Sequence, residues 1–169
     1  MTSEVETTGS GSPFAPHLIK LGLEAADRKK ALSELSRLLE DSNKVRDSYL
    51  GAVLVREEEF PTGLPTPGAA IAIPHADPEH CLEPAVAVGI TKSPVSFAEM
   101  GSPESELDVR IIFLISATES GDHLRWLSTL ATVFQDPDFA LRLLDSKDSC
   151  EAYRLLDEAF GFHKESDRA

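Results

Sequence analysis

Positive charge is scarce in this chain. Sixteen Lys and Arg stand against 29 Asp and Glu, a formal net charge of -13. No stretch gathers the basic residues into a stripe, which excludes nucleic-acid binding through phosphate contacts. Cysteine is nearly absent. Cys81 and Cys150 form neither a Cys-x-x-Cys pair nor a zinc spacing, so two reduced thiols are expected. No apolar run approaches the roughly 20 residues of a membrane span. Met1 to Ser12 lack the basic and apolar regions of a secretory signal, which leads to the expectation of a cytoplasmic protein. Internal repeats are also missing. The acidic surplus either steers a basic partner or only keeps the chain soluble.

What remains is enough for one domain: 169 residues, 41% of them hydrophobic. Residues 1–13, rich in Thr, Ser, Gly and Glu, read as a disordered tail. Residues 14–163 read as the domain, and 164–169 as a short C-terminal tail. Leu18 to Leu23 is a candidate strand. Asp27 is placed to cap a helix over Arg28 to Glu40, with Leu32, Leu35, Leu38 and Leu39 as its apolar stripe. Asp47 is placed to cap a second helix through Glu59, with Tyr49, Leu50, Val53 and Leu54 inward. Phe60 to Gly68 is a Pro/Gly-rich loop.

Gly68 to Ile73 reads as a buried strand, and Pro84 to Thr91 as an alternating one with Ala85, Ala87 and Gly89 on one face. A Ser, Pro and Glu-rich loop is expected through Ser105, then a central strand over Leu107 to Ser116. Helices are expected over Leu124 to Phe134, Asp138 to Leu144 and Cys150 to Phe160. Strands interleaved with helices indicate an α/β sandwich: a single domain with a mixed β-sheet between helices.

The segment Ile73-Pro74-His75-Ala76-Asp77-Pro78-Glu79-His80 is the most informative. Pro74 cannot continue a central strand, so His75 is presented at the strand's carboxyl end. Ligands and reacting groups collect at that edge of α/β sheets. An imidazole there is a candidate nucleophile, acid/base group or metal ligand. A second block, Gly121-Asp122-His123-Leu124, follows the central strand. Asp122 is read as the N-cap, with Leu124, Leu127, Leu130, Ala131 and Phe134 as the stripe behind it. His123 then lies in the first helical turn, where the helix dipole favours anions and lowers an imidazole pKa. His75 and His123 either face each other across a cleft or are two unrelated surface histidines. Arg56 is either a phosphate donor or one half of an ion pair with Glu58 or Glu59 on a solvated face.

Three blocks then read together: Arg56-Glu57-Glu58-Glu59-Phe60-Pro61-Thr62-Gly63-Leu64, Ala70-Ile71-Ala72-Ile73-Pro74-His75, and Asp122-His123-Leu124. In order and spacing they resemble the enzyme IIA domain of the sugar phosphotransferase system (PTS), mannitol/fructose class. The resemblance covers Leu18 to Phe160. Phe60-Pro61-Thr62-Gly63-Leu64 and Pro74-His75-x-Asp77-x-Glu79-His80 are most similar to the galactitol-type branch, although Ala76 stands where many members carry glycine.

The resemblance implies a fold with a mixed sheet and helices on both faces. It implies a cytoplasmic phosphocarrier that takes a phosphoryl group from phospho-HPr and passes it to a cysteine of an enzyme IIB, indirectly serving a membrane permease, enzyme IIC. It maps the phosphoacceptor, through Nε2, onto His75. Phosphoryl stabilisation maps onto His123 and Arg56. No cofactor and no metal are implied. Two other readings are carried: a nitrogen-regulatory phosphoprotein that keeps His75, and a metal-dependent hydrolase using His75, Asp77 and His123, with Glu79 and His80 as further candidate ligands. Asp77 and His80 otherwise shape the loop or touch partners. Thr62 and Ser116 are candidate hydrogen-bond donors to phosphate. Trp126 is read as packing, His17 and His163 as solvated, and Leu64 as part of an apolar docking rim. Cys81 lacks the phosphate-binding loop that an enzyme IIB nucleophile needs.

Overall fold

Ile111, Phe113 and Ile115 alternate along one strand with Ile112 and Leu114, and all five are buried. Successive side chains on a strand point to opposite faces, so apolar residues on both sets require cover on both sides. A computed structural model, which describes residues 12–161, provides that cover. Residues 1–11 and 162–169, with most of both expected tails and His163, lie outside the described residues.

In chain order the elements are β1 (Ile19–Leu23), α1 (Arg28–Asp41), α2 (Tyr49–Glu59), β2 (Gly63–Leu64), β3 (Ala70–Ala72), β4 (Ala85–Glu99), β5 (Ser102–Ser116), α3 (Ser120–Val133), α4 (Pro137–Leu144) and α5 (Ser149–Phe160). β1 runs parallel to β4, β4 antiparallel to β5, and β5 parallel to β3. β2 lies antiparallel to β3 and meets the far end of β4. The result is a mixed five-stranded sheet. Leu32, Leu35 and Leu39 of α1 and Tyr49 and Val53 of α2 pack with Ala85, Ala87, Ile112 and Leu114 on one face. Trp126, Leu130 and Phe134 of α3, Phe139 of α4 and Leu156 of α5 pack with Val86, Val88, Ile111 and Phe113 on the other. Among the described residues, no helix is long and apolar enough to cross a membrane.

The small residues of β4 are small because α1 lies close. A Cβ on Gly89 would stand 2.9 Å from a Leu23 methyl and 3.0 Å from one of Leu35. Asp27 caps α1 as the sequence indicates, its Oδ1 accepting from the Lys30 amide at 2.9 Å.

Four local expectations change. The expected loop before Ser105 is a long β4–β5 arm turning at Gly101, whose φ is 80°. Its alternation is real, since Val95 pairs with Val109 and Phe97 with Leu107, but Ser, Pro and Glu on the exposed face mask it. Pro94 sits in the break of register between Ile90 and Val95, where no ladder bond is lost. The Pro/Gly-rich loop after Phe60 contains β2. The helix after Asp47 begins one residue later, after Ser48, and no side chain caps it. α3 begins at Ser120 rather than after Asp122. Asp122 therefore lies in the first turn, its Oδ1 accepting from Arg125 Nη2 at 2.7 Å. Leu124 leaves the apolar stripe and points outward, and Trp126 takes a core place instead.

Candidate functional site

β3 stops short of Pro74, and His75 follows as an isolated bridge to Ile115 of β5. Three backbone and side-chain bonds hold this turn. The Ile115 amide donates to the Pro74 carbonyl at 3.0 Å. The Tyr49 hydroxyl donates to the Ile115 carbonyl from beneath. The Ile73 amide donates to Thr62 Oγ1 at 3.1 Å. His75 is only 9% exposed. Its Nδ1 lies 3.0 Å from the Ile73 carbonyl oxygen. A carbonyl only accepts, so Nδ1 carries the proton and Nε2 is the nitrogen with the free lone pair.

The first turn of α3 brings His123 against it. The two rings lie 4.6 Å apart, centroid to centroid, and tilted by 36°. The third partner comes from the end of α2. Arg56 Nη1 reaches Asp77 Oδ1 at 3.3 Å, and its guanidinium lies 5.5 Å from the centre of the Phe60 ring. The structure thus brings His75, His123 and Arg56 into one cluster, with Asp77 paired to the arginine. Arg56 pairs with Asp77 rather than with Glu58 or Glu59. His123 Nε2 and Arg56 Nε are both buried and bonded to no protein group. Such nitrogens are costly unless something accepts from them.

The electrostatics favour a neutral, nucleophilic imidazole. Burial pushes the His75 pKa down from 6.5 to about 4, against the pull of the Ile73 carbonyl, and the nearby His123 and Arg56 push the same way. His123 is lowered as well, by burial first and Arg56 second. The helix dipole is therefore not needed to explain that direction. Glu57, one residue beyond Arg56, is 5% exposed, and burial pushes its carboxyl up from 4.5 to about 7.

These shifts predict a pH response. As pH falls from about 6.5 toward 4, the unfolded chain protonates His75 before the folded one does, so His75 withdraws stability in that window. Glu57 acts oppositely, because folded protein holds its proton up to about pH 7 and loses stability as pH rises from 4.5. His75→Gln should therefore gain stability relative to the native chain as pH drops from 6.5 to 4, by at most about 3 kcal/mol. The imidazole NMR titration of His75 should have its midpoint near 4. A midpoint near 6.5 would contradict the buried, neutral ring.

Other sequence-stated candidates go elsewhere. Ser116 Oγ donates inward to the Glu83 carbonyl at 2.9 Å, and Thr62 Oγ1 to Glu57 Oε1 at 2.9 Å, so neither hydroxyl is free for phosphate. His80 turns away, its Nδ1 2.8 Å from Ser48 Oγ. Asp77 does shape the loop, its carbonyl accepting from the His80 amide at 3.1 Å. Among the described residues, no three His, Cys, Asp or Glu side chains converge as a metal site. Cys81 is buried and Cys150 exposed, both free. His17 is exposed. Leu64 is half-buried against the core; exposed apolar side chains are Phe60 (61%), whose ring meets Arg56, and Leu124 (71%), next in the chain to His123. The residue that sequence reading passed over is Glu57. Its spacing from Tyr49 and Val53, four residues each, put it on the buried face of α2.

Comparison with known proteins identifies the family and the fold. The chain is 32% identical over 135 residues to the fructose-specific EIIABC component of the PTS of Bacillus subtilis strain 168, covering 78% of this chain. It spans only 20% of that longer relative. It is 25% identical over 126 residues to the galactitol-specific EIIA component of Escherichia coli K12, covering 75% of this chain and 83% of the relative. The crystal structure of IIA mannitol from Escherichia coli superposes with a TM-score of 0.69 at 25% identity, over 84% of this chain and 97% of that one. Residues 12–159 match the family model described as phosphoenolpyruvate-dependent sugar phosphotransferase system, EIIA 2. A buried neutral histidine at the end of β3, faced by a second histidine and an arginine, thus lies in a chain that belongs to the EIIA 2 family of the sugar phosphotransferase system, a phosphotransferase phosphocarrier family.

Proposed function

We propose that His75 accepts a phosphoryl group on Nε2 from phospho-HPr and passes it to a cysteine of an enzyme IIB. The observation that carries this reading is the His75 Nδ1 bond to the Ile73 carbonyl at 3.0 Å, beside two buried, unbonded nitrogens, His123 Nε2 and Arg56 Nε. The Nε2 lone pair attacks phosphorus as the donor's phosphorus–nitrogen bond breaks. That bonding pair leaves with the donor imidazole, and His75 keeps Nδ1–H on Ile73. Negative charge spreads over the three equatorial oxygens, so positioned donors carry most of the catalysis. Arg56 supplies a permanently charged fork, and His123 a further N–H. The onward step has the same form: a cysteine thiolate attacks phosphorus as the His75 Nε2–phosphorus bond breaks, and that bonding pair returns to Nε2.

The sugar class follows from relatives and motif. The loop residues Phe60 to Leu64 and the Pro74 to His80 segment resemble the galactitol branch, while the fructose relative shares more identities, 32% against 25%. Transport of a sugar or sugar alcohol of the fructose, mannitol and galactitol group is the reading that both support, with enzyme IIC as the indirect partner. Incubation with phosphoenolpyruvate, enzyme I and HPr, followed by mapping of the modified residue, tests it. Phosphate on any residue but His75, or none, would refute it.

Phe60 and Leu124 flank the cleft and form the docking rim. A transient carrier needs a modest apolar patch with polar surroundings and fast release. Phe60→Ala and Leu124→Ala should each weaken HPr binding by about 1–2 kcal/mol, raising KM while leaving kcat unchanged. With a net charge of -13, association with a basic face of HPr should slow as salt rises. A rate constant flat between low and physiological salt would reduce the acidity to a matter of solubility.

A further inference from the structure

The mechanism above leaves unused a buried carboxyl group one residue from Arg56. Glu57 lies on the inner face of α2, whereas its neighbours Glu58 and Glu59 are exposed. Its two oxygens are both engaged by one residue. Oε2 accepts from the Thr62 amide at 2.9 Å, and Oε1 from the Thr62 hydroxyl at 2.9 Å. Above about pH 7, where it is ionised, the Glu57 carboxylate can only accept, so it orients the single hydroxyl proton of Thr62 toward itself. The lone pairs of Thr62 Oγ1 then face the Ile73 amide, 3.1 Å away. The Thr62 carbonyl takes a second, longer share of that N–H at 3.4 Å. From the other side of Ile73, the carbonyl accepts from His75 Nδ1 at 3.0 Å. Thr62 cannot drift from this place. It precedes Gly63, where a Cβ would stand 2.5 Å from the Ala98 carbonyl oxygen, so β2 is pressed against the end of β4.

We propose, on the reading that His75 is the phosphoacceptor, that Glu57 and Thr62 are positioning residues for it. Through the backbone of Ile73 they hold the His75 imidazole in the Nδ1–H tautomer and leave Nε2 open to phosphorus. Neither touches the reacting atoms. The chain of contacts runs Glu57, Thr62, Ile73, His75, and with Glu57 ionised each link has a fixed donor and acceptor. A tie meant only to close the loop after α2 would not require an acceptor-only group at its buried end. Here that group fixes the Thr62 hydroxyl, whose lone pairs hold the Ile73 amide in place, and the Ile73 carbonyl in turn holds His75 Nδ1–H.

The test compares Thr62→Val, Thr62→Ser and Glu57→Gln with the native protein. Valine keeps the shape of threonine and removes the hydroxyl. Serine keeps the hydroxyl. Glutamine keeps the shape of glutamate and loses the charge and one acceptor. Nitrogen-15 spectra of the His75 ring, taken at about pH 8 where Glu57 is ionised, read the tautomer directly, with no phosphoryl donor present. The native ring should be a single Nδ1–H tautomer, and Thr62→Val and Glu57→Gln should show a mixture with Nε2–H. Phosphoryl acceptance should slow by about tenfold or more in those two variants. The KM for phospho-HPr should stay within about twofold of native. Thr62→Ser should restore both the tautomer and the rate.

A native ring found as Nε2–H overturns the proposal before any variant is made. So do folded Thr62→Val and Glu57→Gln proteins with the native tautomer and the native rate, even if both melt earlier. If Thr62→Val does not fold, the isosteric Glu57→Gln decides. Failure of the native protein to take phosphate on His75 would refute the phosphocarrier assignment instead, and the tautomer measurement would still read the positioning.

Discussion

His75→Ala is expected to accept no phosphoryl group from phospho-HPr while remaining folded. The loss should be complete, because no second nucleophile occupies the same place. His123 is the nearest ring, at 4.6 Å between centroids, but it comes from the first turn of α3. Among the described residues no backbone carbonyl bonds its ring to fix a tautomer, whereas Ile73 fixes that of His75. The turn itself should survive the substitution. It is held by the Ile115 amide on the Pro74 carbonyl and by the Ile73 amide on Thr62, neither of which involves the imidazole. His75→Gln is the companion variant, since its side-chain amide can donate to the Ile73 carbonyl without offering a nucleophile. Labelling with phosphoenolpyruvate, enzyme I and HPr, alongside a circular dichroism melt, checks both. Undiminished labelling of the alanine variant would sink the assignment.

The second large effect concerns the donors. His123→Ala and Arg56→Ala should each leave His75 phosphorylatable but slow transfer. One lost hydrogen bond to the equatorial oxygens costs on the order of 3 kcal/mol in the barrier, about a hundredfold in rate. His123 should act mainly on the onward step to enzyme IIB. Arg56→Lys should recover little, because an ammonium cannot reproduce the fork that bonds Asp77 and a phosphoryl oxygen together. Removing Arg56 also releases Asp77, which then faces the incoming phosphate unpaired, so its effect should exceed that of His123→Ala. Stopped-flow transfer from phospho-HPr, and separately to enzyme IIB, measures these steps. Native rates in both directions for His123→Ala would place that ring outside the chemistry.

Much of this was legible before any coordinates. The 3.6-residue recurrence of Leu32, Leu35 and Leu39 named the buried face of α1, and Asp27 marked its start. The two-residue alternation of Ala85, Ala87 and Gly89 against Val86, Val88 and Ile90 named the two faces of β4. Pro74 after an apolar run placed His75 beyond a strand end. Such signals are local, since periodicity and turn chemistry act within a few residues.

The misreadings came where local chemistry competed with distant partners. Ser, Pro and Glu around Pro103 read as loop, yet 15-residue β4 and β5 pair through that stretch, because Val95 and Phe97 find Val109 and Leu107 across the ladder. Asp122 read as a cap, yet Arg125 holds its carboxylate and the helix starts earlier. Glu57 was passed over although its spacing from Tyr49 and Val53 points it inward, because the group that satisfies its carboxyl, Thr62, lies beyond the helix.

By itself, then, the sequence determined the α/β class, the faces of the helices and strands, and the presentation of one histidine at a strand's end, all consequences of short-range periodicity. Only the tertiary structure decided that His123 and Arg56 meet that histidine, that Asp77 rather than Glu58 or Glu59 pairs with the arginine, and that Ile73 assigns its tautomer. Those are contacts between α2, the turn after β3 and α3, segments far apart along the chain. Their meeting depends on how the helices pack over the two faces of the sheet, which no local pattern encodes.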